Sequence, residues 1–449
     1  MKKVIPMPYE KGQRLPAEHA SKIGHIDLTK SEFVRKIVED LGLNEESEDY
    51  SQRDMPIVSV SNLGSTSLIP MIYGIDGSMQ IIEEKGKWPF KRYAFIKTAM
   101  LRIDFRSLEK IDKNYPNPFE LESLMKKSAI YHYTAFPLRN ISYEGMNIYD
   151  AIRSIVFKSL KQTLDGEVLE TLKWLLYEKW QGTKKQLEYF ECPHCHGPRA
   201  TLEYDAEVGQ CPMCGGKLFI TDCLGFHQDM NQDVARDSII GTYMTIHETL
   251  LMLTGIRVLW NRNRDVLKDS LFVKDGPLSV RAQYSKLVQP IRRFLSYARS
   301  SGTEINILGQ EKTGAFRDHL DKISPHIDPG NVFIPSSSYI IREIQGRRET
   351  GAPYGKDTNY GAKVFYKLNN YHKMVLNIPT GNYEANPNEE NLIGFGRIMT
   401  TLPRIISNRF EGAIYPIELA NGIASLSSYP SAKVLEIFAT DIRKKEKES

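Results

Sequence analysis

Two apolar runs, each closing on Asp-Gly, organise the hydrophobic pattern of the chain. In Met71-Ile72-Tyr73-Gly74-Ile75-Asp76-Gly77-Ser78, the positions Ile72 and Ile75, with Ile81 and Ile82 beyond, read as a buried strand bent at Gly74 and Gly77. Leu271-Phe272-Val273-Lys274-Asp275-Gly276-Pro277-Leu278 repeats the pattern much later in the chain. A carboxylate ending such a strand holds a divalent metal, a substrate hydroxyl or only its own turn, since Asp-Gly-Ser is a common turn. Two such aspartates on one sheet would face each other across a metal site. From Tyr93 to Phe105 two sets of residues alternate. One is Ala94, Ile96, Thr98, Met100, Arg102 and Asp104; the other is Phe95, Lys97, Ala99, Leu101, Ile103 and Phe105. That alternation predicts a strand antiparallel to the Asp76 strand.

Helical spacing governs much of the remainder. Thr29-Lys30-Ser31-Glu32 reads as a capping box for a helix carrying Phe33, Val34, Ile37, Val38 and Leu41, with Gly42 as its stop. Residues 1–28 read as a polar arm and 44–56 as an acidic loop. Residues 116–190 read as mostly helical, with a long segment from Tyr149 to Trp180 interrupted at Gly166. Asp233 to Thr254 predicts a largely apolar helix, and Val280 to Ala298 another. Glu304 to Gly309 predicts a short strand leading into a helix from Ala315 to Ile323. Strands near Val332 to Ile344 are expected before a loop from Gly346 to Gly361. Lys363–Leu368 and His372–Ile378 then form a hairpin around Asn369-Asn370. Two helical stretches and a charged tail, Arg443 to Ser449, close the chain.

Composition narrows the class. With 449 residues, 41% hydrophobic and 25% charged, the chain is globular rather than disordered. A net charge of +4 neither announces nor opposes a nucleic-acid partner. No stretch of about 18 apolar residues exists to span a membrane, and the N-terminus lacks the apolar run of a signal peptide. The expectation is a cytoplasmic protein with no membrane contact.

Five cysteines include two C-x-x-C knuckles, Cys192-Pro193-His194-Cys195 and Cys211-Pro212-Met213-Cys214, with 15 residues between them and glycines after each. This is four-thiolate zinc spacing, and the glycines let backbone amides turn back towards the sulfurs. With four protein ligands the zinc keeps no open position, so its role is structural. Cys223 lies outside the spacing and reads as a small core residue.

Glu248 lies within the apolar helix, between Met244 and Met252, on a stripe that would otherwise be core. It is either a solvated edge residue or paired with a cation or metal. Asp76, Glu248 and Asp275 together make a carboxylate set suited to Mg²⁺ or Mn²⁺, and such ions support phosphodiester hydrolysis.

With these motifs in order, the chain resembles the NurA nuclease family. The resemblance runs through Ile75-Asp76-Gly77-Ser78, the Glu248 helix, Asp275-Gly276-Pro277-Leu278, Ile307-Leu308-Gly309-Gln310-Glu311-Lys312-Thr313 and Tyr415-Pro416-Ile417-Glu418-Leu419-Ala420. It implies an α/β fold with an RNase H-like mixed sheet flanked by helices, here with an inserted four-cysteine zinc ribbon. It also implies a manganese-dependent DNA end-processing nuclease, a homodimer, and partnership with a HerA-type hexameric ATPase. Asp76, Glu248 and Asp275 take the metal-ligand roles by motif match, and Tyr415 the tyrosine near the site. Two departures stand out. The histidine expected eight residues after that tyrosine falls on Ile423, and residues 191–220 are an insertion. The setting implied is repair or anti-phage defence.

Lys312 lies within Gly309-Gln310-Glu311-Lys312-Thr313-Gly314, which lacks phosphate-loop spacing, so it reads either as a DNA phosphate contact or as a surface lysine. Arg347, Arg348 and Lys356, with Tyr354 and Tyr360, mix cations and aromatics in a manner suited to gripping single-stranded DNA, or form a solvated loop. The expected organisation is an N-terminal arm and helix (1–55), a first nuclease part with a helical insertion (56–190), the zinc ribbon (191–220) and a second nuclease part (221–449). The other class is a binding protein, a catalytically degenerate scaffold that loads or regulates a DNA motor.

Overall fold

The Asp76 run forms a strand, and that strand does not stop at Asp76. β2 (Met71–Glu83) passes straight through Asp76-Gly77-Ser78, which pair with Ala99, Thr98 and Lys97 of β3 (Arg92–Asp104). The turn reading of Asp-Gly-Ser is therefore corrected, because a long antiparallel partner holds these residues extended. Gly74 and Gly77 are not bends either. A Cβ at Gly74 would overlap the Pro416 carbonyl, and one at Gly77 would lie 2.5 Å from Glu248 Oε1 and 2.7 Å from Met244 Cγ. Both glycines let helices approach the sheet closely.

The structure is a computed structural model. It describes residues 31–40, 55–64, 66–83, 90–112, 117, 119–120, 122, 129–231, 237–349, 351–426 and 434–435. Met1–Arg53 and Asp54–Ser449 are separate units. In the first, helix α1 (Glu32–Asp40) starts after Ser31, whose hydroxyl accepts the Val34 N–H at 3.4 Å. The polar arm, Thr29, Leu41, Gly42, most of the acidic loop and the charged tail lie outside the described residues.

The second unit is α/β. Besides β2 and β3, its strands are β1 (Ile57–Ser59), β4 (Ala129–Arg139), the small hairpin β5 (Val208–Gln210) and β6 (Lys217–Phe219), and β7 (Ser270–Asp275). The series continues with β8 (Asn306–Glu311), β9 (Asn331–Phe333), β10 (Ala362–Lys367) and β11 (Lys373–Ile378). All but β5 and β6 join one mixed sheet in the order β1-β9-β10-β11-β8-β7-β2-β3-β4. β7 runs parallel to both β2 and β8, and the other pairings are antiparallel.

Helices cover both faces. On one, α2 (Ile148–Gln162), α3 (Glu167–Leu176), α4 (Asp237–Arg262) and α5 (Val288–Ser300) share a core with Ile75, Ile96, Met100, Phe272 and Ile307. α6 (Ala315–Ile323) packs beside β11. On the other face, α7 (Phe395–Ile405) and α8 (Tyr415–Ala424) cover Ile72, Leu101, Ile103, Leu271 and Val273. α4 has the length and composition to cross a membrane, yet most of its apolar stretch is buried in the fold. Its threonines 242, 245, 249 and 254 return their hydroxyls to carbonyls four residues back, so they sit in the helix without orphaned donors.

Three further expectations are corrected. Residues 129–139, read as helical, are strand β4. Ile130, His132, Thr134 and Phe136 alternate with Tyr131, Tyr133 and Ala135, a composition and period that suit a pleated surface. Only Asn331–Phe333 of the Val332–Ile344 stretch is strand; Ser337–Ile344 coils into a helical turn that widens to π geometry. The α5 region enters through a 3₁₀ segment, Ala282–Leu287, before becoming α-helical. Gly166 does divide α2 from α3, at φ +92°.

Candidate functional site

The two Asp-Gly aspartates come together where parallel pairing of β2 and β7 ends, after Ile75↔Lys274. Successive side chains of a strand alternate between faces. Gly74 faces α8 and Gly77 faces α4, so Asp76 belongs to the α8 face. In β7, Leu271 and Val273 belong to that same face and Phe272 to the other, which places Asp275 beside Asp76. Asp275 is the last residue of its strand. Its Oδ1 accepts the Gly276 N–H at 3.1 Å, and Gly276 turns the chain at φ +84°.

Glu248 arrives from α4 on the opposite face, its carboxylate against Gly77. Its partner is Lys274, whose Nζ lies 2.9 Å from Oε2 with both side chains buried. Lys274 also donates to the Asp275 carbonyl at 2.8 Å. The sequence reading missed Lys274, although the signal was present. A lysine inside Leu-Phe-Val-Lys-Asp needs a buried acid, just as a glutamate inside an apolar helix needs a buried base. Lys312 lies at the carboxylate pair, with Nζ 3.1 Å from both Asp275 oxygens.

Asp76 is strongly perturbed. Burial pushes its carboxyl up to about 7, and the charges of Asp275 and Glu248 push in the same direction. The Gly77 N–H and Lys312 oppose them. Oδ1 accepts the Gly77 N–H at 2.7 Å, while Oδ2 is buried with no hydrogen-bond partner. Burial also raises Glu248, against the pull of Lys274. Among the described residues, the four cysteines alone form a group of three or more ligand-type side chains with donor atoms within 4.8 Å of one another. The three carboxylates stand near one another without converging to that distance.

Tyr415 opens α8 in the core below Asp76's face, 1% exposed, with its phenol hydrogen-bonded to Ser407. Ile423 packs partly buried against that same core. The Gly346–Gly361 loop divides. Arg347, Arg348 and Lys356 are exposed, but Tyr360 is buried with its hydroxyl 3.3 Å from Thr249 Oγ1, and Tyr354 packs on Phe316. Buried Arg292 donates to the carbonyls of Gly355, Lys356 and Asn359 and pins the loop. Tyr360 is thus core, and the expectation that it grips a strand is corrected. Histidines scattered in sequence also meet. His132 and His247 stack at 4.9 Å, and burial lowers them to about 4 and about 3. His247 Nδ1 lies 2.8 Å from Thr98 Oγ1, and His132 Nε2 2.8 Å from Ser159 Oγ, so both are satisfied structural groups.

Cys192, Cys195, Cys211 and Cys214 form the predicted cluster. Sulfur pairs lie 3.8 Å (Cys192–Cys214) and 3.9 Å (Cys195–Cys211) apart. Four sulfurs about 2.3 Å from a tetrahedral ion stand roughly 3.8 Å from one another, so the cage has the size of a thiolate metal site. The N–H groups of His194, Met213 and Gly216 point at sulfurs from 3.4 Å. α2 grips the module. Arg153 donates twice to Asp222 at 2.9 Å and to the Lys217 carbonyl at 2.9 Å, and the Tyr149 hydroxyl donates to the Pro193 carbonyl at 2.6 Å. Cys223 is buried core.

No protein-family model and no curated protein sequence matches the chain. Among solved structures, the chain is similar to the NurA nuclease from Sulfolobus solfataricus, with 10% identity, 95% of this chain and 98% of that chain covered, and a TM-score of 0.33. A second NurA crystal structure aligns at 11% identity over 93% and 99% with a TM-score of 0.29. A NurA structure with manganese aligns at 12% identity over 90% and 95% with a TM-score of 0.20. Superpositions this loose assign neither a family nor an activity to the chain.

Proposed function

We propose that the chain is a divalent-metal-dependent nuclease that hydrolyses DNA phosphodiesters on an RNase H-like sheet. One observation carries this reading. An Asp76 carboxylate with an unpartnered oxygen is raised to about 7, by burial first, and stands beside two further acids whose charges push it the same way. Folding concentrates negative charge there without matching it fully, and hard oxygen donors of this kind suit Mn²⁺ or Mg²⁺. Asp76 and Asp275 would hold the ion from one face, and Glu248 from the other once it releases Lys274. When bound, the ion supplies Lewis acidity and charge neutralisation at a phosphodiester. The sheet supports the reading through β4-β3-β2-β7-β8, three antiparallel strands joined to a parallel pair, with an acid at the junction.

The chain's own groups then take distinct parts. Asp76 gives up its proton on ion binding. Lys312, 40% exposed, exchanges Asp275 for a backbone phosphate. Arg347, Arg348 and Lys356 meet the strand further out. Tyr415, buried on Ser407, sets the start of α8 against Gly74 rather than touching DNA. The four-cysteine cage holds Zn²⁺ as a staple. The homodimer, the HerA-type ATPase and the repair or defence setting rest on the sequence resemblance alone.

The test is cleavage of end-labelled DNA with Mn²⁺, with and without EDTA. Asp76→Asn is expected to lower the rate on the order of 100-fold, the scale on which one preorganised charge-stabilising group acts. A variant that cuts at the wild-type rate removes Asp76 from the site. A specific observation favours a second reading, the degenerate DNA-binding scaffold. Lysine ammoniums already stand at Glu248 and Asp275, and Ile423 stands where the resemblance implies histidine. Wild type that binds DNA yet stays inert with Mn²⁺ would establish that reading.

A further inference from the structure

β4 is the edge strand beside the carboxylate strand's partner β3, and its two faces differ in character. His132 and Phe136 turn into the core towards α4, where His132 stacks on His247 and Phe136 meets Tyr243 edge to face. Tyr131 and Tyr133 turn the other way and are 55% and 56% exposed. Register ties them to the site. Asp76 pairs with Ala99, which pairs with Tyr131; Ser78 pairs with Lys97, which pairs with Tyr133. Asp76, Ala99 and Tyr131 therefore form one row on one face of the sheet, and Ser78, Lys97 and Tyr133 form the next. Two strand spacings, about 10 Å, separate the Asp76 backbone from that of Tyr131. α8 covers β2 and β3 on this face, and the tyrosines lie towards its outer margin.

The two exposed tyrosines and the half-buried Lys97 form a unit. The tyrosine rings meet edge to face at 5.4 Å, and Lys97 Nζ lies 5.2 Å from each centroid. Among the described residues Lys97 makes no ion pair, so its charge is available to an outside anion. Water solvates two exposed rings poorly, and a rim cation beside them matches a ligand that is flat, aromatic and anionic. A single nucleic-acid strand has that character at every residue, because each base offers a π-face and each linkage a charge.

We propose that Tyr131, Tyr133 and Lys97 form a stacking platform for bases of a single-stranded DNA segment that flanks the carboxylate site. The site as nuclease rests on the reading above; the platform as a strand-binding surface does not need catalysis. Tyr131 and Tyr133 carry the bases, and Lys97 meets the phosphate between them. The platform thereby gives the chain a grip on unpaired DNA that is sequence-tolerant.

Binding of the full chain to fluorescein-labelled oligothymidylate, read by anisotropy in EDTA, tests this without any cleavage. Tyr131→Ala with Tyr133→Ala is expected to weaken affinity about tenfold or more, whereas the paired Tyr→Phe changes keep it within about twofold, since stacking needs the ring and not the hydroxyl. Lys97→Ala should weaken binding and flatten its salt dependence. Alanine variants that melt like wild type and bind equally well would overturn the proposal. So would a loss of affinity that appears only together with a drop in mass by light scattering, which would make the patch a contact between copies. Loss of binding in the alanine pair, in a protein that never cleaves with Mn²⁺, would sink the nuclease reading and leave the platform standing.

Discussion

At Asp76, burial and neighbouring charge act on one carboxyl in the same direction. Its folded carboxyl is raised to about 7 by burial and by Asp275 and Glu248, whereas an unfolded aspartate titrates near 3.9. Between about pH 4 and 7 the folded chain holds a proton that the unfolded chain has released. The stability this contributes is present at low pH and is lost as the pH rises towards 7. His132 and His247 act in the opposite sense. Their folded values are depressed, so their contribution is present above about 6.5 and lost as the pH falls. Comparing wild type with Asp76→Asn by urea denaturation in EDTA isolates the aspartate. The variant's stability relative to wild type should rise from about pH 4 to about pH 7 and then level off. Curves that run parallel across that window would show that Asp76 is not held protonated.

At the scale of elements, the two cysteine knuckles are not a free-standing appendage. Cys192, Cys211 and Leu218 belong to the same core cluster as α2, α3 and α4. The Arg153–Asp222 pair, with side chains 4% and 3% exposed, ties α2 to the segment following the second knuckle. Removing one partner of a buried pair leaves an uncompensated charge, so Arg153→Ala should cost about 3–5 kcal/mol in chemical denaturation. Metal analysis should return close to one zinc per chain, and stripping it should lower the melting temperature. A metal-free preparation with an unchanged melting curve would remove the staple role.

At the scale of the whole molecule, the large unit is a nine-stranded sheet whose ends are the short β1 and the long β4. A long edge strand either pairs, is covered, or is put to use. The sequence resemblance implies a homodimer, and light scattering should then return twice the 51.4 kDa of the chain at micromolar concentration. A mass of one chain would exclude it. If the dimer forms and survives the Tyr131→Ala and Tyr133→Ala changes, the β4 face is not its interface.

Much of the fold was legible because it depends on local periodicity. The Asp76 strand with its antiparallel partner, the β10–β11 hairpin, the break at Gly166 and the spacing of Cys192, Cys195, Cys211 and Cys214 all follow from patterns spanning a few residues. β4 was not legible. Its alternation of aromatic and polar residues takes meaning only from the strand beside it, and within a helical neighbourhood it was absorbed into the helices. For the candidate site, the sequence by itself determined which acids stand out as misfits: Asp76 and Asp275 before glycine, and Glu248 in an apolar helix. Only the tertiary structure decided their relation. Strand alternation put Asp76 and Asp275 on one face, while the α4 crossing brought Glu248 to the other. Packing also gave two of the acids lysine partners and left a buried oxygen of the third without one. Those outcomes depend on which faces meet across the sheet, and distance in space is not encoded in the local period of a chain.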